Sequence, residues 1–155
     1  MPKFGAHASN FVTTTGVKTA LMAWALSNRR AEIIELLMTG SGLAAVADTP
    51  HQATAAFAST TLVGVGTTIT AEKMDGQGAA AIGTCITSAF SSEPTTYASV
   101  FSVAFGFNTR GGNKFSVPQG EGLKVDSGAS NNRLGWRAQG QAPGAIDAQL
   151  QGWED

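Results

Sequence analysis

Residues Tyr97–Phe107 read YASVFSVAFGF. Side chains of a strand alternate between its two faces, so Tyr97, Ser99, Phe101, Val103, Phe105 and Phe107 share one face, and Ala98, Val100, Ser102, Ala104 and Gly106 the other. Aromatics gathered on one face predict a strand at the centre of the core. The same alternation recurs downstream, with Leu134, Trp136 and Ala138 inward in Asn131–Gln139, and Ile146, Ala148 and Leu150 inward in Ala145–Trp153. Each reads as a half-buried strand of an antiparallel sheet. Lys114–Val117 and Gly122–Val125 read as short strands on either side of the turn signal Pro118-Gln119-Gly120-Glu121.

Upstream, Thr19–Leu26, Gln52–Thr61, Leu62–Thr70 and Ala80–Ala89 also read as strands, with 71–79 a polar loop. Ala31–Met38 (AEIIELLM) is contested. Its Glu, Leu and Ala favour a helix, which Ser27 or Asn28 would cap. A two-turn helix is marginal alone, and every neighbouring segment is β, so a strand is expected there and a helix is the alternative. Residues 1–18 lack a clear period and read as an extended arm anchored by Phe4 and Phe11. About eight or nine short strands with Gly-rich turns predict an all-β, two-sheet sandwich over 19–155.

Composition narrows the function. Only 14% of the 155 residues are Asp, Glu, Lys or Arg, while Gly, Ala, Ser and Thr make up close to half. The net charge of −1 lacks the basic excess of a nucleic-acid binder. A single cysteine, Cys85, excludes an intrachain disulfide and a zinc knuckle, and its apolar neighbours predict a buried thiol. No apolar run is long enough to span a bilayer as a helix, and Ala20–Leu26 is too short and too far inside the chain for a signal peptide.

Catalytic patterns are not found. His7 and His51 stand far apart, without the clustered ligands of a cupin metal site. No Gly-x-Ser-x-Gly elbow positions a nucleophile. Glu32 and Glu35, the nearest to a carboxylate pair, fall on opposite faces of a regular strand. Gly64-Val65-Gly66 and Gly76-Gln77-Gly78 lack the Lys-Ser/Thr and the helix of a phosphate loop, and Asp48 and Asp75 lack calcium-loop spacing. No enzyme activity, metal or cofactor is expected.

The order of Arg29-Arg30-Ala31-Glu32-Ile33-Ile34-Glu35, Ala47-Asp48-Thr49, the Thr- and Gly-rich Leu62–Thr70, Ser92-Glu93-Pro94-Thr95 and Gly120-Glu121-Gly122-Leu123-Lys124-Val125 resembles small single-jelly-roll proteins of tailed phages. These are virion structural or capsid-decorating (cement) proteins. The likeness covers roughly 19–155 as spacing and texture; the arm before residue 19 departs from it. It implies a jelly-roll-like antiparallel β-sandwich of about eight short strands, a homotrimer, and a major capsid protein as partner. It further implies synthesis in the host cytoplasm and residence on the capsid surface, without nucleic acid or membrane. Phe4, Phe11 and Trp153 are the expected assembly contacts. The alternative is a carbohydrate-binding or host-adhesion module using Trp136, Trp153 and Tyr97.

Overall fold

The computed structural model describes residues 1–26, 29–41, 48–58, 65–77, 84–94, 97, 102–126 and 133–154, with the backbone alone for Cys85, Thr87 and Asp126. Twelve strands run through them: β1 (Lys3–Val12), β2 (Lys18–Ala25), β3 (Arg30–Gly40), β4 (Pro50–Phe57), β5 (Val65–Ile69), β6 (Glu72–Lys73), β7 (Thr84–Ser92), β8 (Val103–Asn108), β9 (Asn113–Ser116), β10 (Leu123–Asp126), β11 (Leu134–Gly140) and β12 (Ala145–Glu154). The count exceeds the expected eight or nine because several are two- to five-residue pieces. The first sheet has the order β10-β3-β12-β1-β6, with β9 also on β3; the second has β5-β7-β2-β11-β4-β8. Every strand pairing is antiparallel.

The core fills the gap between the sheets. Phe4, Ile33, Leu36, Met38, Ile146 and Leu150 enter from the first sheet, and Leu21, Ile86, Leu134 and Trp136 from the second. Buried polar groups tie the layers together as well. Trp136 Nε1 donates to the Leu37 carbonyl at 3.2 Å, and Thr84 Oγ1 donates to Glu154 Oε2 at 2.9 Å. The Thr13 hydroxyl, just past β1, lies 2.8 Å from Nε2 of the buried His51 on β4, whose Nδ1 donates to the Thr49 carbonyl at 2.9 Å.

Ala31–Met38 lies within β3, a strand. Its helix-favouring residues are overruled by pairing with β12 on one side and β9 and β10 on the other. β9 and β10 lie end to end along the same edge of β3, with the Pro118–Gly122 turn between them. Glu32 Oε1 accepts the backbone N–H of Gly120 at 2.7 Å and of Gly122 at 2.6 Å, and Val117 donates to the Ile34 carbonyl. Gly120 has φ +98°, a conformation that glycine adopts without a Cβ penalty.

Several expectations are corrected. Residues 3–12 are not an arm leaving the sandwich; they form β1, paired with β12 from Lys3↔Trp153 to Val12↔Ala145. The register shifts between Ala8 and Phe11, where Ser9 and Asn10 face Asp147 alone. This bulge, with Asn10 at φ 53°, reverses the parity of the strand and lets both Phe4 and Phe11 face the core. A matching bulge at Ile34 puts Glu32 and Glu35 on the same outer face, because Ala31, Ile33, Leu36 and Met38 take the inner one. Tyr97 does not extend β8. It forms an isolated bridge with Ala58, and its ring rests on the outer face of the second sheet.

Trp136 and Leu150 are buried as expected, and Phe105 is half-buried, edge-on to Trp136 at 5.4 Å. Val103, Phe105 and Phe107 all contact the core while Ala104 and Gly106 are exposed, as the alternation requires. Phe101, Ser27 and Asn28, and the side chain of Cys85, lie outside the described residues.

Phe4 is fully buried, so Phe4→Ala should lower unfolding free energy by about 3–5 kcal/mol in chemical denaturation. Deleting residues 2–16 should unfold the chain. A deletion variant with parent-like circular dichroism and melting would overturn the assignment of β1 to the sheet.

Candidate functional site

Among the described residues, one flank of the sandwich is more open than the other. On the closed flank, the chain passes from β8 to β9, and Asn113 Nδ2 donates to the Gly106 carbonyl at 3.2 Å. On the open flank the first sheet ends at β1, where β6 pairs only with Phe4 and Gly5. From Ala6 to Val12, β1 therefore has a strand on one side only among the described residues.

Two clefts adjoin this edge and share His7. One, of about 440 Å³, runs from His7 to Val12 and is faced by Lys18, Ser88, Ala89, Phe90 and Glu93. The other, of about 610 Å³, lies between Gly5–His7 and Thr68–Thr70, with Glu72, Met74 and Gln149. Both described non-glycine residues with positive φ, Asn10 at 53° and Ala89 at 48°, line the first cleft. Such a conformation costs an L-residue about 1–2 kcal/mol, and here it accompanies a register shift in β1 and another beside Ala89 in the β5–β7 pairing. Backbone N–H of Asn10 is held by Asp147 Oδ1 at 2.9 Å.

A second cluster covers the outer face of the second sheet. Gly135 lets Tyr97 approach: a Cβ at that position would come within 2.5 Å of the phenol ring. The Arg137 guanidinium stacks 4.0 Å from the ring centroid, and the phenol oxygen lies 2.9 Å from Thr19 Oγ1. Glu93 Oε2 accepts the Thr19 backbone N–H at 2.8 Å. Burial pushes the Tyr97 phenol up to about 12; the Thr19 hydrogen bond and the Arg137 charge oppose the shift, and Glu93 adds to it. Burial likewise lowers Arg137, against the attraction of Tyr97 and Glu93.

The three residues expected at an assembly surface are not brought together. Phe4 is in the core and is corrected from contact residue to core residue. Phe11 lies at the far end of β1, half-buried, and lines the first cleft. Trp153 is half-buried on the outer face of the first sheet, with Lys3 Nζ 5.8 Å from its ring centroid. Of the aromatics named for glycan binding, Trp136 is fully buried and Tyr97 is covered by Arg137, which leaves Trp153. His51 is enclosed by Thr13, Thr49, Phe107, Gly140 and Gly144, and both its ring nitrogens are engaged. No cluster of three His, Cys, Asp or Glu suited to a metal occurs among the described residues.

Sequence reasoning missed the Tyr97–Arg137 stack, because nothing local to Tyr97 records that it crosses to β11. It also missed the exposure of β5, whose uncharged, β-branched run was the available signal. No family model, curated protein or solved structure matches the chain.

Tyr97 is the only tyrosine, so absorbance at alkaline pH reports it alone. Its midpoint should lie near 12 rather than 10.0. Arg137→Gln should raise it further, since the guanidinium favours the phenolate. The folded state holds the neutral phenol, so its stabilising contribution is present below the ordinary tyrosine pKa and is lost as pH rises through about 12. A parent midpoint at 10.0 would contradict the burial of this ring. Separately, a chelator should leave the melting temperature unchanged, and a drop of several degrees would implicate His51 and Asp48 as ligands.

Proposed function

We propose that the chain is a non-enzymatic virion structural protein, a jelly-roll capsid decoration (cement) subunit that binds the outside of a phage head and holds capsomer contacts together. The observation that carries this reading is strand order. With β5, β6, β7 and β9 set aside as additions, the remaining eight strands, counted 1 to 8 along the chain, run 1-8-3-6 in one sheet and 2-7-4-5 in the other. That order supports the jelly-roll reading, since two interlocked Greek keys, as in capsid, lectin and cupin proteins, would give it.

Fold alone does not choose among those uses, so the surface must. The cupin use needs clustered metal ligands, whereas His51 is occupied by hydrogen bonds in the sandwich interior. Exposed positions among the described residues carry somewhat more Thr, Ser and Gln than charged side chains, and these uncharged groups lose little on desolvation and suit repeated contacts with a shell and with other copies. Val12, Val17, Leu26, Val65 and Met74 add exposed apolar surface. The glycan-binding alternative rests on Trp153.

Quantitative mass spectrometry of purified particles tests the reading. The chain should appear at a stoichiometry comparable to that of the major capsid protein. A handful of copies would reassign it to a tail or fibre, and absence from particles would overturn the proposal. Glycan-array binding that disappears in Trp153→Ala would favour the alternative.

A further inference from the structure

We infer that β5 is an edge for self-association: two copies pair their Val65–Ile69 strands antiparallel about a two-fold axis at Thr67, joining their second sheets into one. This takes from the proposed function only the idea that copies meet one another, and specifies where.

β5 is bound to β7 on one side, and nothing among the described residues pairs with its other side. Val65 to Thr68 are exposed, Val65 at 63%, and only Ile69 packs against the core. Alternate residues of a strand point to opposite faces, so four exposed residues in succession mean that both faces of that run are open to solvent. The composition of a strand in this position is normally chosen to prevent pairing. Lysine, proline and bulges are the usual means.

Two of the other edges among the described residues use them, and the third, β8, is met by a side chain instead. β1 carries the bulge at Asn10, the edge formed by β9 and β10 carries Lys114, Pro118 and Lys124, and β8 has its Gly106 carbonyl occupied by Asn113. β5 has no charge and no proline, and the surplus residues of its register shift against β7 belong to β7: Val65 and Thr67 pair with Ser92 and Ser88.

The occupant follows from the sequence of the strand itself. In an antiparallel pairing centred on Thr67, Val65 faces Ile69 of the other copy, Gly66 faces Thr68, and Thr67 faces Thr67. Apolar β-branched residues meet each other, threonine meets threonine, and no like charges are opposed. The same surface serves both copies, so the contact closes as a two-fold dimer instead of propagating. Five residues a side form less than a standard interface, so pairing should be weak in free solution and gain strength when a common surface holds the copies close together.

The test uses the purified full chain. Directly opposed strand residues bring their Cβ atoms within about 4.5–5.5 Å, close enough for a disulfide after slight adjustment. With Cys85→Ser removing the native thiol, Thr67→Cys should give a disulfide-linked dimer under mild oxidation, and Thr68→Cys, opposite Gly66, much less. Equal cross-linking at the two positions, or none at Thr67, overturns the inference. Should Cys85→Ser fail to fold, sedimentation of the parent decides: its average mass should rise with concentration, and Thr67→Lys should abolish the rise. A parent that stays monomeric to its solubility limit, or a Thr67→Lys variant that associates equally, overturns it too. Pairing without incorporation into particles would sink the proposed function alone, and incorporation without pairing would sink only the β5 contact.

Discussion

The gap between the two sheets accepts one face of each strand, and β1, β2 and β3 satisfy that demand only because each carries one residue more than the partner beside it. In β1 the extra residue falls at Ser9-Asn10, in β2 at Ala20 against β11, and in β3 at Ile34 against β12. A strand alternates strictly, so one added residue exchanges its inner and outer sides from that point on. Phe4 and Phe11, seven positions apart, both reach the core for this reason. So do Ala20 and Leu21, which are adjacent in sequence and both buried against it. Without the bulges, half of each strand would turn its apolar residues to solvent.

The same constraint explains how much of the molecule the sequence reveals. β12 pairs along its whole length while keeping an unbroken alternation, and its strand and inner face are legible from Ile146, Ala148 and Leu150 alone. β11 and β8 are legible for the same reason. β1 is not: its inward residues Phe4, Ala6, Ala8 and Phe11 change parity midway, and a segment with a parity change has the texture of an aperiodic arm. The shared face of Glu32 and Glu35 was hidden by the same effect. The bulges at Ala20 and Ile34 leave no composition signal, because these are ordinary strand residues; in β1 only Asn10, of a type that tolerates positive φ, marks the place. Of the candidate assembly residues, only the half-buried Phe11 and Trp153 keep surface to offer. Phe4 was misjudged because its partners, Gly152 and the rest of β12, lie almost the whole chain away.

Bulges also determine what each flank can do. Val117 donates to the Ile34 carbonyl at 2.9 Å, so the interruption in β3 is met by the break between β9 and β10. Glu32 then holds the intervening turn through two backbone N–H groups, charge-assisted bonds that convert a possible acid–base group into a structural cap. Among the described residues, the bulge of β1 has no strand to meet it on the open side. It twists that edge and removes it from regular pairing, which leaves clefts instead of an extended ladder.

β5 differs because of its place in the topology. Among the described residues, the second sheet continues past β2 through β7 to β5, while the first ends at β1 and the two-residue β6, which leaves most of β5 exposed on both faces. In a monomer, β-branched residues placed there contribute little burial and keep backbone groups in water. Their local preference for strand is satisfied, but the tertiary packing that normally makes a strand worthwhile is not. Among the described residues nothing covers that strand, and the inferred pairing with a second copy would supply the cover. In the inferred pairing the uncharged run from Val65 to Ile69 would be covered by the same run of a second copy.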